Sequence, residues 1–322
     1  MDRKYESLLL FLIVIMVVGK AQGATRVGFY ASTCPNVESL VRSSVQFFIS
    51  SDASLAPALL RMHFHDCFVQ GCDASVLIEG SSTEKTAGGN TGLRGFNVIM
   101  DAKARVEGMC PGVVSCADIL ALAARDAVVL SNGPSWDVPL GRLDGRRSVA
   151  SDVANIPSPT DSLDILIQKF ASRGLTTRDL VALSGGHTIG QADCQFFSYR
   201  LYNYKATGMA DPTLNSTSLR QLQNICPGNG NNNGRAAALD KGSRNRWDSR
   251  YFQNLLAGNA VLESDQALAA DPSTRSLVNT FATSSDSFDD AFTRSMVKLA
   301  HVGVKTRAHG GEIRRMCSFV NF

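Results

Sequence analysis

Arg61-Met62-His63-Phe64-His65-Asp66-Cys67 sets a guanidinium and an imidazole four residues apart, which puts Arg61 and His65 on one face of a helix. A cation beside a histidine that must stay neutral suits a base next to a group that handles anionic oxygen. His63 points elsewhere, about two residues round the turn, although His63, His65 and Asp66 together form an H-x-H-D cluster of a kind that can ligate zinc. A second centre is His187, in Leu183-Ser184-Gly185-Gly186-His187-Thr188-Ile189-Gly190. Small residues before it would let something flat and bulky approach the backbone closely. Asp265, in Glu263-Ser264-Asp265-Gln266, is a candidate carboxylate partner for an imidazole. Singly these signals are weak, because a lone histidine in an apolar helix is more often a satisfied core residue.

The elements that must position these residues read as helices. Residues 37–51 and 55–67 carry apolar residues at helical spacing, the second opening after Ser54 with Pro57 near its first turn. Residues 116–131 are rich in Ala and Leu and predict a long buried helix ending before Asn132-Gly133-Pro134. Shorter helices are predicted over 162–173 and 177–185, and one or two more over 274–302. Strand-like alternation is confined to 146–149. No repeat and no long linker divides the chain, which reads as a single, mostly helical domain.

The 322 residues are 44% hydrophobic and 19% charged, enough apolar material for a sizeable core. A net charge of +3 and 7% aromatic content give no basis for a nucleic-acid partner. Arg3 and Lys4 precede an apolar stretch, Leu8 to Val18, that exits through Gly19, Ala21 and Gly23. That pattern predicts a secretory leader over residues 1–23, cleaved after Ala21 or Gly23, and is too short for a membrane anchor. Eight cysteines in an exported chain point to four disulfides, with spacing alone pairing only Cys67 and Cys72. Asn215-Ser216-Thr217 is the sole N-x-[ST] sequon, and a surface glycan is expected there.

RMHFHDCFVQGCDAS at 61–75, LSGGHTIG at 183–190 and SDQAL at 264–268 together resemble the plant secretory (class III) haem peroxidases. The resemblance runs from Phe29-Tyr30 and Cys34-Pro35 to the GEIRRMC ending at Gly311–Cys317. It implies a mostly α, two-lobed fold with one haem b between distal and proximal sides and very little β structure. It makes His187 the axial ligand of haem iron and Asp265 the acceptor of the other imidazole N–H. His65 becomes the distal acid–base group, Arg61 the charge stabiliser and Asn90 the acceptor that keeps one His65 nitrogen free as a base. Phe64 would shield the iron from large substrates, and Pro157 would contact phenolic donors, which lose single electrons after hydrogen peroxide has oxidised the enzyme.

Two calcium ions are likewise implied. Asp66, Val69, Gly71, Asp73 and Ser75 match the distal set, with Glu84 linking it to the distal network. Thr188, Asp240, Ser243, Arg246 (through its backbone oxygen) and Asp248 match the proximal set. The implied disulfides are Cys34–Cys110, Cys67–Cys72, Cys116–Cys317 and Cys194–Cys226. The chain departs from the common pattern at Leu143, Asp193, Ser243 and Arg244. It stops five residues after Cys317, which favours the cell exterior, in the wall or apoplast, over the vacuole. The expectation is a soluble, extracellular monomer with no membrane or nucleic-acid partner. A secreted zinc hydrolase and a catalytically silent, disulfide-rich calcium-binding protein are the alternatives.

Overall fold

The computed structural model describes residues 25–321 except 229 and 231, so the leader expected over 1–23 lies outside the described residues. Twelve α-helices are present among the described residues. The first six are α1 (Val37–Ser51), α2 (Leu55–Val69), α3 (Phe96–Met109), α4 (Cys116–Leu130), α5 (Leu163–Ala171) and α6 (Thr177–Ser184). The others are α7 (Ser198–Tyr202), α8 (Ser216–Ile225), α9 (Arg250–Leu256), α10 (Glu263–Ala270), α11 (Pro272–Thr283) and α12 (Ser285–Leu299). A single antiparallel pair, β1 (Gln191–Asp193) with β2 (Ala236–Ala238), is the only sheet among the described residues.

Helix α4 is the spine of the distal half. Ser115 caps it by accepting from the Asp118 N–H at 3.1 Å, and Asn132 ends it in the left-handed conformation. Buried alanines at 117, 121, 123, 124 and 127 let α1 and α2 pack closely against it. Helix α2 has no side-chain cap, because the Ser54 hydroxyl donates to Asp52 instead. Its Pro57 falls in the first turn, where the missing N–H has no intrahelical acceptor to lose. In the proximal half, α6 starts with a Thr176–Asp179 capping box and packs on α12, while α11 packs on α9 and α10. Residues 274–302 divide at Ser284, whose hydroxyl caps α12.

The alternation at 146–149 forms no strand. Leu143 and Asp144 make only isolated bridges, to Lys305 and Glu312, and Arg146 and Arg147 turn their charges outward. Arg146 faces Glu312 and Arg147 bonds Asp152, so no neighbouring strand is available to extend the pairing.

Sulfur bridges join Cys34 to Cys110, Cys67 to Cys72, Cys116 to Cys317 and Cys194 to Cys226. The last lies inside a small second apolar cluster formed by α7, α8 and the β pair. Gly71, just inside the Cys67–Cys72 loop, has φ +110°, and a Cβ there would sit 2.6 Å from the Gly303 backbone. The distal loop is thereby pressed against the chain after α12, with the Cys72 N–H donating to Val302 O at 2.9 Å.

Two fully buried ion pairs tie the C-terminal segment and the 141–144 segment to α4. Arg142 donates to Asp118 at 2.6 Å, and Asp118 also accepts from Tyr30 Oη at 2.7 Å and the Gly141 N–H at 2.6 Å. Asp144 accepts from the Cys116 and Ala117 N–H groups at the start of α4, and from the Arg314 N–H. Neither partner of the Asp118–Arg142 pair is exposed, so removing one strands the other in the core. Asp118→Ala should cost about 3–5 kcal/mol of unfolding free energy. Glu79→Ala, at the exposed Lys85–Glu79 pair, should cost less than about 1 kcal/mol. Urea denaturation of both variants checks the contrast.

Candidate active site

The helical period of α2 turns Arg61, Phe64 and His65 toward one cavity of about 1060 Å³, and Asp66 away from it. Arg61 Nε donates to His65 Nε2 at 3.1 Å, which makes Nε2 the unprotonated nitrogen of that ring. His65 Nδ1 therefore carries the hydrogen and donates to Asn90 Oδ1 at 2.7 Å. Asn90 is fixed in turn, its amide donating to the Glu84 carbonyl at 2.8 Å. Burial first, and the Arg61 charge second, push His65 down to about 3, so the ring is neutral. Phe64 stacks on Phe68, with ring centroids 4.3 Å apart, and forms part of the cavity wall.

His187 lines the same cavity from a 3₁₀ turn, Gly185–Thr188, that directly follows α6. Its Nδ1 lies 2.9 and 3.1 Å from the two oxygens of Asp265, in the first turn of α10. Burial works against a charge on this ring, but the Asp265 carboxylate outweighs it and raises the His187 pKa. Tyr251 Oη donates to Asp265 Oδ1 at 2.9 Å, holding the carboxylate in place. Sequence reasoning missed Tyr251, since nothing in the chain links it to Asp265 before α9 and α10 are brought together. The two glycines before His187 have different reasons. A Cβ on Gly185 would lie 2.3 Å from Phe288, so Gly185 serves packing, whereas Gly186 lines the cavity opposite Leu60.

Nδ1 of each histidine is thus occupied, which leaves Nε2 of His187 as a free nitrogen ligand at the cavity wall. The remaining wall is largely apolar, with Leu60, Phe170, Leu183, Ile189 and Phe292 around it, and Pro157 lies on it with Ile156 and Pro159. A cavity at the top of the usual ligand-pocket range of ~300–1,000 Å³ suits a large, flat, apolar group bound through one imidazole. These residues fit a haem. His63 does not join His65 in a zinc site, since its ring nitrogens lie 3.8 and 3.9 Å from Cys67 Sγ. That sulfur is in a disulfide with Cys72 and offers no thiolate.

The distal calcium candidates gather at the far side of α2. Asp66 accepts from the Ala74 N–H at 2.8 Å, and Asp73 from the Ser75 N–H at 3.1 Å. Both oxygens of Glu84 and the hydroxyl of Ser75 are buried without a hydrogen-bond partner. Burial, with Asp73 nearby, pushes Glu84 up to about 8, and burial beside Asp73 raises Asp66 as well. Buried carboxylates with orphaned oxygens are what a hard cation would satisfy. The Val69 carbonyl is already in use, accepting from Arg173 at 2.9 Å, and the Gly71 carbonyl accepts from the Asp73 N–H.

Thr188, Asp240, Ser243 and Asp248 also converge. The Thr188 hydroxyl donates within reach of Asp240 Oδ2 at 3.0 Å and Asp248 O at 2.8 Å, and Ser243 Oγ donates to Asp240 Oδ2 at 2.7 Å. Asn254, unforeseen in the sequence, donates to Asp240 Oδ1 at 2.6 Å. Arg246 has an exposed side chain, its Nε 3.9 Å from Asp248. Asn215 is exposed and caps α8, its Oδ1 accepting from the Thr217 N–H at 2.9 Å.

A family model described as Peroxidase matches residues 41–284. Peroxidase 25 of Arabidopsis thaliana is 52% identical over 320 residues, covering 97% of each chain. Peroxidase N1 of Nicotiana tabacum is 52% identical over 98% of this chain and 95% of its own. Peroxidase N of Armoracia rusticana is 48% identical over 91% of this chain and 90% of its own. No helix among the described residues is long and apolar enough to cross a membrane. With a matched family model over most of its length and about half its residues shared with these plant enzymes, the chain belongs to the plant secretory (class III) peroxidases and is a peroxidase.

Proposed function

We propose that this peroxidase holds one haem b between His65 and His187, uses hydrogen peroxide as oxidant and takes single electrons from small phenolic donors. The observation that carries the reading is one cavity with two imidazoles whose Nδ1 partners differ, an amide for His65 and a carboxylate for His187. Bound there, a haem would supply the redox chemistry that links hydrogen peroxide to the one-electron donors. His187 Nε2 would hold its iron, and the Asp265 carboxylate at Nδ1 would give the ring partial imidazolate character. The His65 Nε2 lone pair takes the proton of one peroxide oxygen and returns it to the departing one. Arg61, already at that nitrogen, turns its guanidinium to the negative charge that develops as the O–O bond breaks. Phe64 narrows the approach, and Pro157 lies where a phenolic donor would enter.

The same proposal places calcium in two sites, distal at Asp66, Val69, Gly71, Asp73 and Ser75 with Glu84 behind, and proximal at Thr188, Asp240, Ser243, Arg246 and Asp248. It also makes residues 24–322 one secreted domain that works as a monomer in the wall or apoplast, with a glycan on Asn215. Mass spectrometry of the secreted protein would read the leader cleavage and the glycan directly.

His65→Ala should slow oxidation of the enzyme by peroxide by about 10²–10⁴-fold while haem binding survives. Arg61→Leu should slow the same step less, because the proton carrier remains. With His65 depressed to about 3, the wild-type rate should stay flat from neutral pH to about 4 and fall as pH approaches 3. That depression also costs stability as pH drops below the ordinary value of ~6.5, where the unfolded chain binds the proton first. Stopped-flow mixing across pH decides it; parent-like rates for His65→Ala contradict the assignment.

His187→Ala should lose stable haem binding, since its imidazole supplies the protein's bond to iron. Asp265→Asn should keep the haem and raise the Fe(III)/Fe(II) potential, because the ligand then donates less charge. Spectroelectrochemistry reads the shift, and an unchanged potential counts against Asp265 as the partner.

The two calcium sites should also differ. The distal candidates lie within ten residues, Asp66 to Ser75, in a loop closed by the Cys67–Cys72 bridge, whereas the proximal ones are split between Thr188 and the 240–248 segment. Graded chelation should therefore remove proximal calcium first and disturb the haem spectrum through Thr188, next to His187, while one ion remains. Metal analysis at each step tests the order; simultaneous or distal-first loss overturns it.

A further inference from the structure

Outside the site just described, one cluster joins redox-active side chains to the cavity. Tyr199 on α7 lies on the cavity wall beside Phe196 and Ser264, and Tyr204 follows in a partly exposed 3₁₀ turn. Their rings stack with centroids 6.4 Å apart and planes 20° from parallel. Both phenols donate to the same carboxylate, Tyr199 Oη to Glu263 Oε2 and Tyr204 Oη to Glu263 Oε1, each at 2.8 Å. Glu263 opens α10, two residues before Asp265. Burial and the Glu263 charge raise the pKa of both phenols, so each is a protonated donor.

A phenol held protonated can be oxidised at modest cost only if its proton leaves with the electron, and each phenol here has a carboxylate oxygen placed to take it. Stacked rings of the same type exchange an electron with no net driving force needed. We propose that Tyr199, Tyr204 and Glu263 form a relay from the cavity wall to the surface, through which the enzyme oxidises phenolic donors too large to enter the cavity. This rests on the haem peroxidase reading above, which supplies the oxidant through hydrogen peroxide. Tyr199 gives one electron to the oxidised site and its proton to Glu263 Oε2. Tyr204 then restores the electron, and Glu263 returns the proton, while the Tyr204 proton moves to Oε1. A surface phenol finally delivers one electron and one proton to Tyr204, and Glu263 releases its proton to solvent. Two such passages supply the two electrons and two protons that convert one hydrogen peroxide into two waters.

The competing role for these phenols is to pin α10, and with it Asp265, in place. The test uses the haem-loaded protein with guaiacol as a small donor and a phenol tethered to dextran as one excluded from the cavity. Freeze-quenching with stoichiometric hydrogen peroxide and no donor should give a tyrosyl radical by electron paramagnetic resonance, absent in Tyr199→Phe. Tyr204→Phe should keep guaiacol oxidation and lose most of its rate toward the dextran phenol. Glu263→Gln, which still accepts a hydrogen bond but takes no proton, should lose the same rate with α10 held. No guaiacol oxidation by the wild type would overturn the site assignment underneath. Guaiacol oxidation without a tyrosyl radical, or Tyr204→Phe slowing both donors alike or neither, would overturn the relay.

Discussion

The two imidazoles in this cavity differ chiefly in what holds Nδ1, and the rest of the structure serves that difference. A carboxylate on Nδ1 makes His187 a stronger electron donor at Nε2, which is what a metal ligand needs. An amide oxygen on Nδ1, from Asn90, orients His65 without charging it, and Arg61 keeps it from binding a proton early. The same side chain is thereby assigned opposite tasks by neighbours that differ in charge. Both neighbours are themselves held, Asn90 by donating to the Glu84 carbonyl and Asp265 by accepting from the Tyr251 hydroxyl.

Each histidine has a proposed cation ligand as its next residue. Asp66 follows His65 and faces the distal cluster, and Thr188 follows His187 and bonds Asp240 and the Asp248 carbonyl. Glu84 connects the two ideas on the distal side, since its backbone carbonyl holds Asn90 while its buried carboxylate turns to the cation cluster. A cation bound there would neutralise carboxylates that burial leaves unsatisfied and would fix the segment that carries Asn90. The buried pairs on α4 and the Gly71–Gly303 contact press the C-terminal segment onto the same region.

The distal pair was legible because four-residue spacing on a helix is a geometric statement, and Arg61 and His65 meet as that spacing requires. Helices α1, α2 and α4 were legible from their apolar stripes. Helix α3 was not, because Lys103 sits in its buried stripe, with its ammonium donating to Val114 O at 2.6 Å and so reading as surface. The β pair escaped because three residues of Gln-Ala-Asp opposite three alanines carry no alternation; backbone pairing alone makes it. Small residues before His187 suggest room for a ligand, but at Gly185 it is Phe288 from α12 that fills the space. The haem, calcium and disulfide assignments came from resemblance to a family, since no spacing rule links Asp265 to His187 or Asp240 to Thr188.

The most direct test of unequal imidazoles is the spin state of the ferric, haem-loaded protein at neutral pH, read by electron paramagnetic resonance and the visible spectrum. If Asp265 makes His187 the iron ligand, while Asn90 and Arg61 hold His65 back as a base, the iron is high-spin with one histidine bound. A low-spin ferric signal from two bound histidines would contradict that division of labour.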